Sequence, residues 1–82
     1  MTPQQVADLI RSAIPDARVD VRSGDNVHFE SLVVSAEFSG KRALQRHQLV
    51  YRALGDLMGG EIHALSIEAL TPEESAQASR SL

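Results

Sequence analysis

The side chains best suited to chemistry are three histidines, and no cysteine is present beside them. His28 sits in Asp25-Asn26-Val27-His28-Phe29, and His63 follows the glycine pair in Gly59-Gly60-Glu61-Ile62-His63. Each stands near the end of a strand-like segment beside a turn, where a side chain can reach a partner. A neutral imidazole presents one lone pair to a borderline transition metal. Histidine also changes charge near pH 6.5, so any such ligation depends on pH. His47 differs, lying three residues after Leu44, four before Tyr51 and seven before Leu54. That spacing puts it on an apolar helix face, as a core histidine whose ring is hydrogen-bonded near the sheet. Two isolated histidines do not by themselves decide between a ligand pair and solvated strand ends.

Other constellations are weaker. Glu30, Glu37, Glu61 and Glu68 lie near the histidines in sequence, which makes acid–base pairs conceivable. Solvated strand and loop positions account for them better. The chain has no glycine-rich phosphate loop, nucleophile elbow or HExxH motif, and it reads as a non-enzyme. Lys41 and Arg42, with Arg46 and Arg52, form a small basic group. This group suits a nucleic-acid surface, a solubilising helix face or a contact with an acidic partner. The formal charge of −3, from eight Lys and Arg against eleven Asp and Glu, argues against a general nucleic-acid binder. Only Phe29, Phe38 and Tyr51 are aromatic, and Tyr51 falls on the apolar helix face, leaving little for base stacking.

The elements that must position these residues are legible. Thr2 caps a first helix, Pro3 suits its first position and Gln5 completes a capping box. Val6, Leu9, Ile10 and Ala13 supply its apolar face, and Pro15 ends it. Residues 17–22 alternate as a strand, Ser23-Gly24-Asp25-Asn26 turns, and residues 27–35 return as a second strand, together a hairpin. A loop at Glu37-Phe38-Ser39-Gly40-Lys41 leads to the longest helix. Leu44, His47, Val50, Tyr51, Leu54, Leu57 and Met58 share its apolar face, and Gly59-Gly60 ends it. Residues 61–68 read as a third strand, and Thr71-Pro72-Glu73-Glu74 as a capping box opening a short helical turn. The order αββαβ specifies an α+β fold: a three-stranded mixed sheet with both main helices on one face.

With 82 residues, one core is all the chain can support. Residues 1–74 are read as the single domain, and residues 75–82 as a frayed tail. No apolar run approaches the roughly 20 residues that span a bilayer. The N-terminus lacks the basic start of a secretory signal, so a cytoplasmic location is expected.

Three stretches combine into a wider pattern. Leu32-Val33-Val34-Ser35, Phe38-Ser39-Gly40-Lys41 and Gln45-Arg46-His47-Gln48-Leu49-Val50-Tyr51 together resemble the central signature of BolA-like proteins. Ile62-His63-Ala64-Leu65-Ser66-Ile67 followed by Thr71-Pro72-Glu73-Glu74 resembles that family's closing signature. The resemblance implies a class II KH-like arrangement and a monothiol glutaredoxin as partner. It further implies a two-iron two-sulfur cluster held jointly by the glutaredoxin cysteine, a glutathione thiolate and residues of this chain. His63 matches the histidine of the closing motif. His28 matches the second ligand position, which is histidine or cysteine depending on subgroup. A surface around Phe38, Gly40, Lys41, Arg42 and Arg46 is expected to meet a partner or nucleic acid. The family also allows a homodimer and a role as a DNA-binding transcriptional regulator. Ser75 stands where family members often carry an aromatic, and the GxxG loop of nucleic-acid-binding KH domains is absent.

Overall fold

The computed structural model describes residues 1–80, with side chains through residue 78. Helix α1 (Pro3–Ala13) starts as its sequence requires: the Gln5 N–H donates to Thr2 Oγ1 at 3.2 Å and the Thr2 N–H to Gln5 Oε1 at 2.9 Å. The reciprocal bonds satisfy donors that a helix start leaves orphaned. Val6, Ala7 and Ile10 form the buried face. Arg11 reaches out of the last turn and donates to the Val19 carbonyl at 3.1 Å. It thereby occupies an acceptor on β1 (Arg18–Arg22), whose other edge pairs with β2 (His28–Val34).

Strands β1 and β2 are antiparallel, with Arg18 opposite Val34 and Arg22 opposite Glu30. Helix α2 (Ala43–Leu54) then carries the chain back, so β3 (Ala64–Leu70) runs parallel to β2, His28 beside Ala64 and Val34 beside Leu70. The expected mixed sheet is formed, in the order β1-β2-β3. Strand alternation aims Val19, Phe29, Val33, Leu65 and Ala69 at the helices, where they close the core with Val6, Ile10, Val50, Leu54 and Ile62. Ser31 is buried on the same face, and its hydroxyl donates to the Ser66 carbonyl at 3.0 Å. The opposite face is solvated and charged, with Arg22–Glu30 at 3.6 Å and Arg18–Asp20 at 3.5 Å. Exposed pairs of this kind contribute little stability.

Several local expectations need correction. Helix α2 ends at Leu54, not at the glycine pair, because Gly55 turns the chain at φ 54°. A 3₁₀ turn, Gly55–Leu57, follows. Leu44 and Tyr51 do not face the core; they are 69% and 40% exposed. The helix is rotated so that Val50 and Leu54 are buried while His47 and Leu49 are half-buried. No hydrogen bond to the His47 ring forms among the described residues, contrary to the sheet-bonded core histidine expected. Strand β3 begins at Ala64, not Glu61, because residues 58–62 close a tight turn in which the Gly59 N–H donates to the Ile62 carbonyl at 2.8 Å. Helix α3 (Pro72–Arg80) extends well past the short turn expected after Thr71, and residues 81–82 of the expected tail lie outside the described residues.

Candidate functional site

The parallel pairing of β2 with β3 does something the sequence spacing does not show. His28 is the first residue of β2, and His63 immediately precedes β3. The Val27 carbonyl accepts the His63 N–H at 2.8 Å, stitching the two segments together. The imidazole rings, 35 residues apart in sequence, therefore meet edge to face with centroids 5.9 Å apart. Both residues are exposed.

The His28 ring is held from behind. Asp25 Oδ2 lies 2.7 Å from Nδ1, while Asp25 Oδ1 accepts the backbone N–H groups of His28 at 2.9 Å and Val27 at 3.0 Å. These bonds, the His28 backbone N–H foremost and then its ring, hold the Asp25 carboxyl far below the usual carboxylate range. The hairpin turn is equally determined. The Ser23 hydroxyl donates to the His28 carbonyl at 2.5 Å and accepts the Asn26 N–H at 2.9 Å, with Asn26 at φ 62°. Asn tolerates that left-handed conformation better than most side chains. No described group holds the His63 ring by a hydrogen bond. Among the described residues no set of three or more metal-ligating side chains comes together. The two adjacent imidazoles bring two nitrogen donors to one place, fewer than a closed metal site requires.

The second group of expected site residues lies at the other end of the sheet. From His28 to Val34, β2 advances about 20 Å. Beyond its far end the 3₁₀ turn Ala36–Phe38 begins under a cap in which Ser35 Oγ accepts the Glu37 N–H at 3.0 Å. Asp16 braces this corner, accepting from Ser35 Oγ at 2.6 Å and the Ala36 N–H at 3.0 Å. Those bonds, the Ser35 hydroxyl first, lower the Asp16 pKa.

The expected surface of Phe38, Gly40, Lys41, Arg42 and Arg46 is not one surface. Phe38 is fully buried, so it presents nothing to a partner. Arg46, with its side chain 13% exposed, places its guanidinium 6.0 Å from the Phe38 ring centroid. Its donors go to the Glu74 carboxylate at 2.6 Å, the Ala69 carbonyl at 3.0 Å and the Lys41 carbonyl at 2.9 Å. Arg46 is thus a brace joining α2, β3 and α3 rather than a phosphate-binding cation. Lys41 donates to the Glu37 carbonyl at 2.6 Å, and Gly40 sits at φ 75° as a turn residue. Arg42 is exposed and does lie at the surface. Burial separates the members of this group because Phe38 belongs to the core while the Arg46 guanidinium is taken up by Glu74 and backbone carbonyls.

Two residues that matter here were not singled out from the sequence. Asp25 carries a local signal, an acidic residue in a turn three positions before a histidine. Glu74 was read only as a cap, since its pairing with Arg46 spans 28 residues.

The architecture and the sequence signatures can be compared with known proteins. The BolA-like protein profile matches residues 9–74. The chain belongs to the BolA-like family. A relative from Acinetobacter guillouiae, described as a protein of the rpoN-murA intergenic region, is 40% identical over 80 residues, covering 96% of this chain and 95% of its own. The DNA-binding transcriptional regulator BolA of Haemophilus influenzae is 43% identical over 51 residues, 62% of this chain and 50% of that one. This BolA-like chain therefore matches only half the length of the Haemophilus protein. Among solved structures, a bolA protein homologue from Coxiella burnetii superposes with a TM-score of 0.82 at 41% identity, covering 93% of this chain and 97% of that one. The α+β architecture is the BolA-like one. No helix among the described residues is long and apolar enough to cross a membrane.

Proposed function

We propose that this BolA-like protein partners a monothiol glutaredoxin and handles a two-iron two-sulfur cluster jointly with it, His63 and His28 supplying the ligands on this side. The observation that carries the reading is the convergence of two exposed imidazoles at 5.9 Å, built by the β2–β3 pairing and not by local sequence. The chain has no cysteine, so thiolate ligands come from the glutaredoxin and from glutathione. When bound, the cluster would join imidazole and thiolate ligation, which raises its potential above that of an all-thiolate site. What this chain contributes is two neutral nitrogen donors on an open rim, a fixed backbone behind them and a surface for the partner. A site divided between two proteins is labile, which suits iron–sulfur cluster trafficking or iron and redox sensing.

The test is anaerobic reconstitution with a monothiol glutaredoxin, glutathione, iron and sulfide, read by visible absorption and circular dichroism. The expected result is a heterodimer spectrum distinct from the glutaredoxin homodimer, lost in His63→Ala while the amide circular dichroism is unchanged. An unchanged cluster spectrum in that variant removes His63 as a ligand.

A second reading, transcriptional regulation through DNA, takes its support from the name of the Haemophilus relative. It is the weaker of the two. Arg46 is committed to Glu74 and backbone carbonyls, Phe38 is buried, and the formal charge is −3. Duplex DNA binding at physiological ionic strength with a steep salt dependence would favour it.

A further inference from the structure

We infer that Asp25 is a positioning residue for His28, holding the ring proton on Nδ1 so that Nε2 is the nitrogen offered to a metal. The inference rests on the reading of His28 as a ligand and extends it to the atom used and to the group that selects it.

The argument begins with what a carboxylate can do. An ionised Asp accepts hydrogen bonds and donates none. Oxygen Oδ1 of Asp25 already accepts two backbone N–H groups, from Val27 and His28. Those two bonds suffice to close the hairpin turn. The bond from Oδ2 to the ring at 2.7 Å is additional and closes nothing in the backbone. A neutral imidazole carries one proton, and an acceptor facing Nδ1 puts it there. Nε2 is then unprotonated and free to ligate. Because the same carboxylate grips both the backbone N–H and the ring of His28, side-chain torsion is fixed along with tautomer. Ser23 braces Asp25 in turn: its hydroxyl oxygen accepts the Asp25 backbone N–H at 3.4 Å and lies 3.3 Å from Asp25 Oδ1. A carboxylate behind a histidine is the usual way a metal ligand is oriented, and its loss typically costs about 10–100-fold in metal affinity. The His63 ring has no such tether among the described residues, so of the two rings only His28 is held by a carboxylate.

The variant that separates positioning from turn formation is Asp25→Asn. The amide oxygen still accepts the Val27 and His28 N–H groups, but an NH₂ now faces Nδ1 and favours the opposite tautomer. Long-range ¹⁵N–¹H NMR of the cluster-free protein near pH 8, where histidines are neutral, reads the tautomer directly. The wild type is expected to show His28 protonated on Nδ1, and Asp25→Asn to move it toward Nε2–H. Cluster affinity in the glutaredoxin complex should fall about 10–100-fold in Asp25→Asn. A wild-type ring protonated on Nε2 overturns the inference without any variant having to fold. If His28→Ala weakens the cluster but Asp25→Asn does not, the positioning role falls and the ligand role stands. If neither variant changes cluster affinity, His28 is not a ligand and the inference falls with that reading.

Discussion

Replacement of Phe38 by alanine separates a core role from a partner-contact role. The side chain is among the largest fully buried ones, enclosed where the 3₁₀ turn after β2 meets α2, with the Arg46 guanidinium beside it. A buried phenylalanine removes about 150–250 Å² from water. At about 25 cal/mol per Å² that corresponds to roughly 4–6 kcal/mol for the whole residue. Core Phe→Ala substitutions, which retain the backbone and Cβ, typically cost about 3–5 kcal/mol. For a chain of 82 residues the total stability is of the order of 4–12 kcal/mol. Phe38→Ala should therefore bring the protein close to, or past, its unfolding threshold at 37 °C. Urea denaturation followed by far-ultraviolet circular dichroism measures the loss, and Phe38→Leu provides a folded intermediate case. Binding to the proposed glutaredoxin partner by whatever fraction stays folded should be unaltered, since Phe38 is buried at the end of the sheet remote from His63. A loss below about 0.5 kcal/mol, in the range of surface substitutions, combined with abolished partner binding, would refute the placement of this ring in the core.

Further outcomes follow from the same geometry. Leu54→Ala should cost about 2–5 kcal/mol, whereas Leu44→Ala should stay within about 0.5 kcal/mol; denaturation midpoints that reversed this order would contradict the rotation of α2. Glu74, whose pKa is lowered chiefly by the Arg46 hydrogen bond and then by the Thr71 N–H, has a folded value below its ordinary 4.5. Its contribution is therefore present above about pH 4.5 and is lost as pH falls through the folded pKa. Glu74→Gln should flatten that part of the acid-denaturation curve, as measured by urea midpoints from pH 6 to pH 3. Gly40→Ala meets no neighbouring atom but places a Cβ at φ 75°, so it should lower stability by about 1–2 kcal/mol, while glutaredoxin affinity, measured by calorimetry, should not change.

Much of the fold is written locally. The capping boxes Thr2-Pro3-Gln4-Gln5 and Thr71-Pro72-Glu73-Glu74 form as read, because each satisfies its donors within one turn. The alternation of β1 and β2 places Val19, Phe29 and Val33 correctly, since a period of two survives any tertiary arrangement that covers one face. Helix α2 is where local reading failed. Its sequence admits an apolar stripe through Leu44 and Tyr51 and another through Leu49, Val50 and Leu54, and only the surface against which it packs selects between them. Gly55 also competes with Gly59 and Gly60 as a stop, and the first to adopt positive φ ends the helix.

The sequence by itself determined the element order, the helix starts, the absence of thiolate chemistry and, through its signatures, the family. The tertiary structure decided which chemical groups are neighbours. His28 and His63 became a pair because a parallel crossover aligns the starts of β2 and β3, a relation with no local energetic trace. Arg46 ceased to be a surface cation for a related reason: its carboxylate partner, Glu74, lies 28 residues away and reaches it only after β3 is docked. Short-range hydrogen bonding and periodicity act within a few residues and are visible in the chain. Burial and pairing across the sheet depend on the packed whole: they brought the two histidines together and withdrew Phe38 and Arg46 from the surface expected of them.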